Sequence, residues 1–153
     1  MKLTDLSLKE KLLLCRYAEV ECARKFRHLA AELPPDDQKL TRFMERLAAE
    51  EEGHLAAIRR MEEMTPWPHV LHTDETGLRA VMKEHFPTLC RPRGGGPMDR
   101  ERAVDVARSV ERESSEFYRT LAMEAKDQTA RDFFEKIAED ESGHFQKLLK
   151  TEI

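Results

Sequence analysis

The pattern Glu-x-x-His occurs twice, as Glu51-Glu52-Gly53-His54 and as Glu141-Ser142-Gly143-His144, 90 residues apart. On a helix, residues three apart share a face and sit about 4.5 Å apart along the axis, so one carboxylate and one imidazole can close on one cation. A single copy is weak evidence in a Glu-rich chain. Here both copies have Gly before the His, and each follows a segment whose apolar stripe is broken by one Glu: Glu19 in the first case, Glu111 in the second. Four carboxylates in one core layer are prohibitive alone, because each unpaired buried charge costs several kcal/mol. Two divalent cations would neutralise all four. Glu19, Glu51, His54, Glu111, Glu141 and His144 are therefore the candidate metal ligands.

Four long amphipathic helices must position them. The first is expected over about 7–32, with Ser7 and Glu10 as a capping box and Leu12, Cys15, Glu19, Cys22, Phe26 and Leu29 along one face. The second follows Pro35 and runs to about Glu63, with Leu40, Phe43, Met44, Leu47, Glu51, His54, Ile58 and Met61 inward. The third, over about 99–125, carries Val104, Ala107, Glu111, Ser114, Tyr118 and Leu121. The fourth, over about 127–150, carries Ala130, Phe134, Ile137, Glu141, His144 and Leu148. A connection over about 64–98 separates the two pairs, and a short helix around Glu75–His85 is expected inside it. A link that long crosses a bundle instead of turning tightly.

The pairs repeat each other. At an offset of 92, Glu19, Glu21, Arg27, Leu29 and Ala30 fall on Glu111, Glu113, Arg119, Leu121 and Ala122. At an offset of 90, Asp37, Phe43, Ala48, Glu51, Gly53 and His54 fall on Asp127, Phe133, Ala138, Glu141, Gly143 and His144. The two-residue difference belongs in the turns within the pairs, where length is cheap. The expected fold is all-α: one domain over 1–153, a four-helix bundle with pseudo-twofold symmetry and a long crossover between helices two and three. One Glu from each of two helices and Glu-x-x-His from the others is the ligand set of carboxylate-bridged di-iron and di-manganese bundles.

These residues, with the Glu111-to-Tyr118 segment of the third helix, resemble the rubrerythrin branch of the ferritin-like superfamily over about Ser7–Lys150. The resemblance implies a non-haem di-iron site, with Glu51 and Glu141 bridging, whose reduced form reacts with hydrogen peroxide or dioxygen. Two departures accompany it. The best-known members of that branch carry a small Cys₄ iron domain; the three cysteines here, Cys15, Cys22 and Cys90, contain no CxxC, so electrons would come from a separate donor protein. Those members also carry a further Glu one turn past the third-helix ligand, where this chain has Ser114 and Ser115, so a six-ligand site is expected. The expected function is an oxidoreductase defending against peroxide, holding two iron ions per chain, with manganese or a mixed pair as the other metals the ligand set accepts. Iron oxidation for storage and a di-manganese catalase are the competing readings. A homodimer or larger homo-oligomer is expected.

Composition excludes other classes. The 153 residues carry 26 Lys+Arg against 30 Asp+Glu, interspersed, with no basic stripe for nucleic acid. No apolar run approaches a membrane span, and the start of the chain lacks a signal pattern, so the cytoplasm is the expected location. Three Ile and six Val, beside abundant Glu, Leu, Ala, Lys and Arg, favour helix over strand. Several residues have two readings. Cys15 and Cys22 flank Glu19 as small core residues or as thiols touching the metals. Tyr118 is a core aromatic or a hydrogen-bond donor beside the site. Glu50, Glu52, Glu139 and Asp140 are expected in water, with Glu50 and Asp140 also able to serve as partners of the metal ligands. Glu21, Glu113 and His28 are expected on the surface. His69, His72 and His85 lie in the crossover without ligand spacing, and the Arg91–Arg102 segment reads as a solvated linker.

Overall fold

A computed structural model describes residues 2–68, 73–92 and 96–150. Four long helices dominate: α1 (Leu8–Glu32), α2 (Gln38–Met64), α5 (Arg100–Glu124) and α6 (Gln128–Leu149). The crossover carries α3 (Glu75–His85) and the four-residue α4 (Pro87–Cys90), and a 3₁₀ turn at Leu3–Asp5 precedes α1.

Local chemistry sets the helix starts. The Ser7 hydroxyl accepts from the Glu10 N–H at 3.2 Å, and the Glu10 carboxylate accepts from the Ser7 N–H at 3.0 Å. Asp74, Asp99 and Asp127 each cap a helix by accepting the N–H three residues on, at 2.8–2.9 Å. Helix α1 stops at the residue pair Leu33-Pro34, since a residue before proline is driven to extended geometry, here φ −66° and ψ 149°.

Contacts at the helix ends define the topology. Arg100, at the start of α5, donates to Asp37, just before α2, at 2.9 and 3.1 Å. Helices α2 and α5 thus begin at the same end and run parallel. Arg108 of α5 donates to the Leu148 carbonyl of α6 at 2.8 Å, and Lys11 of α1 lies 3.9 Å from Glu124 of α5, which makes both those pairs antiparallel. The crossover therefore travels the length of the bundle, as its sequence length implied. The turn within the first pair spans 33–37 and that within the second spans 125–127. Two extra residues in the first turn account for the two offsets of the repeat.

Packing within each pair is much closer than between the pairs. Two apolar clusters fill the interior on either side of a polar layer. One holds Leu12, Leu14, Cys15, Ile58, Phe86, Phe117, Tyr118, Phe134 and neighbours; the other holds Cys22, Phe26, Leu29, Leu40, Met44, Leu47, Val104, Ala107 and Leu148 with theirs. Every stripe residue named above is buried except Met61 and His54, which are partly so. No helix among the described residues is long and apolar enough to cross a membrane.

The crossover differs from expectation in one respect that reaches into the bundle. Glu113, expected on the surface, is buried, with 8% of its area exposed. Its carboxylate accepts from the Thr88 N–H at 2.8 Å and from the Thr88 hydroxyl, at the start of α4. Glu10 likewise accepts from the Thr73 N–H at 3.2 Å. Two bundle carboxylates thus hold the crossover where backbone donors would otherwise lack partners. Glu21, the repeat mate of Glu113, stays at the surface beside Arg24, and His28 is exposed there too.

Candidate metal centre

The four stripe carboxylates meet between the two apolar clusters. Glu19 of α1, Glu51 of α2, Glu111 of α5 and Glu141 of α6 have at most 1% of their area exposed. His54 and His144 join them from α2 and α6. Two groups have ligand atoms within 4.8 Å of one another: Glu19, Glu51, His54 and Glu141, and Glu51, Glu111, Glu141 and His144. Glu51 and Glu141 belong to both. One oxygen of Glu51 lies 3.7 Å from His54 Nδ1 and the other 3.9 Å from His144 Nδ1. His54 Nδ1 is also 3.7 Å from Glu19, and His144 Nδ1 is 3.5 Å from Glu111. The six residues singled out in the sequence are thus gathered in one layer, and each half of the repeat contributes three.

The donor set fits cations and little else. Glu19 Oε2, both oxygens of Glu51, Glu111 and Glu141, and both histidine Nδ1 atoms are buried without a hydrogen-bond partner. His54 Nδ1 approaches Glu141 Oε1 to 2.8 Å, but without hydrogen-bond geometry. Among the described residues, no lysine or arginine pairs with these carboxylates. Buried polar atoms are almost always partnered, so nine unpartnered carboxylate and imidazole atoms gathered in one layer mark a place for positive charge. The chemistry agrees, since carboxylate oxygens and imidazole nitrogens suit iron, manganese and zinc.

Electrostatics carries the same message. Burial pushes the Glu51 carboxyl well above its ordinary range, and the charges of Glu141, Glu19 and Glu111 push it further. Glu111 is raised by burial and by Glu141. Burial also opposes ionisation of Glu141, yet its carboxylate is held below the ordinary value by Glu111 and the histidines. For His54, burial works against the charged ring, but Glu141, Glu19 and Glu51 outweigh it and raise the pKa well above the usual imidazole value. Metal-free, the layer must retain protons to exist.

Each histidine is aimed from outside by the opposite pair. His54 Nε2 of α2 lies 3.1 Å from Asp140 of α6, and His144 Nε2 of α6 meets Glu50 of α2. Glu50 and Asp140 are repeat mates, so the two bonds are images of each other. A neutral ring that keeps its proton on Nε2 toward the acid would offer its Nδ1 lone pair inward to a metal. Glu52 and Glu139 remain exposed, as expected, with Glu52 beside Arg27.

Tyr118 combines both readings the sequence left open. Its ring is fully buried, 5.4 Å from the Phe117 ring and 6.4 Å from the Phe134 ring, while its hydroxyl donates to Glu19 Oε1 at 2.6 Å. Cys15 and Cys22 are buried on either side of Glu19, and burial raises both thiols, so they are held as neutral thiols. Cys90 is exposed. His85 is half-buried beside the Phe117 ring at 5.4 Å, away from the carboxylates; His69 and His72 lie outside the described residues, as do Arg93–Gly95 of the Arg91–Arg102 segment.

Comparison with known proteins places this geometry. No curated protein matches the chain. A hypothetical protein from Pyrococcus furiosus is similar in structure, with a TM-score of 0.64 and 22% identity over 97% of this chain and 89% of that one. At that identity the likeness speaks to the fold alone. The sequence model of the Rubrerythrin family matches residues 10–152, which span every helix from α1 to α6 and all six side chains of the central layer. The chain belongs to the rubrerythrin family.

Proposed function

We propose that the layer holds two iron ions, one against Glu19 and His54 and one against Glu111 and His144, with Glu51 and Glu141 between them. We further propose that the protein reduces hydrogen peroxide or dioxygen with electrons from a separate donor protein. The observation that carries the reading is the sharing of Glu51 and Glu141 by two four-residue groups whose buried ligand atoms are unpartnered. Bound iron supplies the redox equivalents and the Lewis acidity.

The chain's own residues supply the rest. Tyr118 fixes Glu19 by bonding Oε1, the oxygen that also lies 3.7 Å from His54 Nδ1, and leaves Oε2 buried without a partner. Asp140 and Glu50 hold the Nε2 protons and with them the orientation of both rings. The apolar clusters above and below exclude water, so charge in the layer is felt at low dielectric. Conversion of one peroxide to two waters takes two electrons and two protons. Protons reach the layer from the solvent-exposed edges of Glu50 and Asp140, beside the histidines.

The test is stoichiometric. Metal-free protein loaded anaerobically with Fe(II) should take up two ions per chain, and one equivalent of hydrogen peroxide should oxidise both, followed by absorbance. One ion per chain, or iron that peroxide leaves reduced, would overturn the proposal. Oxidation by dioxygen with deposition of many further ions would favour storage instead.

A further inference from the structure

Helix α2 and helix α6 leave an open groove of about 530 Å³ on the face away from α1 and α5, lined by Glu50, Gly53 and His54 and by Asp140, Gly143 and His144, with Glu139 and Lys147 at its rim. Its floor is the candidate metal layer. The four stripe carboxylates are at most 1% exposed, whereas the side chains of His54 and His144 retain 12% and 9%. Among the described residues, the layer meets solvent through those rings, and this groove is lined by both of them, whereas a second opening beside Phe43, Leu47 and the basic residues Lys39 and Arg46 reaches His144 alone.

Gly53 and Gly143 form facing parts of its walls, deep inside two long helices. Glycine is the poorest helix former after proline, and an interior glycine normally has a packing reason. Here there is none: a Cβ built at either position meets no atom within 4 Å. The same unfavourable residue stands at two repeat-related positions with no structural return, and a longer side chain at either would take up space in the groove that both line. Charge around the groove points to what passes. Glu50, Glu139 and Asp140 face it against Lys147, with Lys136 4.0 Å from Asp140 on its outer side. An acidic approach to a buried set of unpartnered carboxylates draws cations and repels anions.

We propose that the α2–α6 groove is the portal through which divalent cations reach the buried layer, and that Gly53 and Gly143 keep it clear. This rests on the reading of the layer as a metal site, but not on any redox activity. A portal sets rates in both directions and leaves the equilibrium alone. In the full-length metal-free protein, Co(II) uptake followed by stopped-flow absorbance should slow at least tenfold in the Gly53→Leu/Gly143→Leu double variant. Release to a chelator should slow by the same factor, with the final ions per chain unchanged. Ala56→Leu, exposed on α2 outside the groove, should load as the wild type does. Gly53→Ala and Gly143→Ala should each raise the melting temperature by about 2–4 °C, since their methyls meet nothing. Glu139→Lys provides an arm that does not fill the groove: loading should slow several-fold at low salt and recover at about 0.5 M salt.

Wild-type loading rates in the leucine variant, or the same change in Ala56→Leu, would overturn the portal while leaving the metal site standing. So would a loss of ions per chain without slowing, which would mean a damaged site. A lower melting temperature in the alanine variants would assign the glycines to packing and overturn their role. If the wild type takes up no Co(II), the reading of the layer falls and the portal with it.

Discussion

Tyr118 of α5 donates its hydroxyl to Glu19 of α1 at 2.6 Å, across 99 residues of sequence, and it is the one buried hydrogen bond between side chains that ties a central carboxylate to its surroundings among the described residues. Tyr118→Phe keeps the ring and deletes the donor. A buried carboxylate oxygen stripped of its partner should destabilise the metal-free protein by about 1–3 kcal/mol. Urea unfolding of both proteins checks this; an unchanged midpoint would mean that Glu19 does not depend on the hydroxyl.

Metal content should follow the inward Nδ1 atoms. His54→Ala and His144→Ala should each lower the ions bound per chain, while His28→Ala, on the exposed side of α1, should not. Elemental analysis of the three variants decides it, and equal metal content in His54→Ala and His28→Ala would remove His54 from the ligand set.

Asp140 and Glu50 should matter through the rings they hold. Asp140→Ala frees His54 Nε2 while leaving all six central side chains in place. Loss of such an orienting partner typically lowers metal affinity about 10–100-fold. Chelator competition should show that fall for Asp140→Ala and for Glu50→Ala, and little change for Glu52→Ala, whose carboxylate meets Arg27 instead.

Metal and pH should act together on stability. Folded-state pKa values of Glu51, Glu111 and His54 lie above their ordinary 4.5 and 6.5. A group raised on folding stabilises the fold below its unfolded pKa, and that contribution is lost as pH rises through the folded value. Glu141 is lowered and acts oppositely, losing its contribution only as pH falls below 4.5. From about pH 5 to 8 the metal-free protein should therefore lose stability as pH rises. Bound metal prefers the ionised ligands, so the gap in melting temperature between loaded and metal-free protein should widen with pH. A gap that narrows over that range would mean that the carboxylates do not share a metal-binding cavity.

Much of this arrangement was legible in the sequence because it is periodic. The 3–4 spacing of Leu12, Glu19, Phe26 and Leu29 fixes a face, and the doubled Glu-x-x-His fixes where the polar layer interrupts it. Helix α3 was readable at Glu75–His85 for the same reason. Glu113 was not, since it lies off the stripe and its burial depends on Thr88, in a connection whose path no local pattern specifies. The four-residue α4 was missed likewise. Glu50 and Asp140 stand between these cases: neither is on a stripe, but their offset of 90 is that of the histidines they serve, and the repeat was the signal that could have paired them.

The repeat and its unequal turns, 33–37 and 125–127, have a consequence for assembly. Each hairpin brings one Glu and one Glu-x-x-His, and neither alone has the shared carboxylate from the other half. Two copies of a single hairpin about the same twofold axis would carry the complete set of six, as an isologous dimer does. In the single chain, the crossover takes the place of that second-order encounter. It tethers the halves and sets an effective concentration at which they meet, so that the completeness of the layer is independent of how much protein is present.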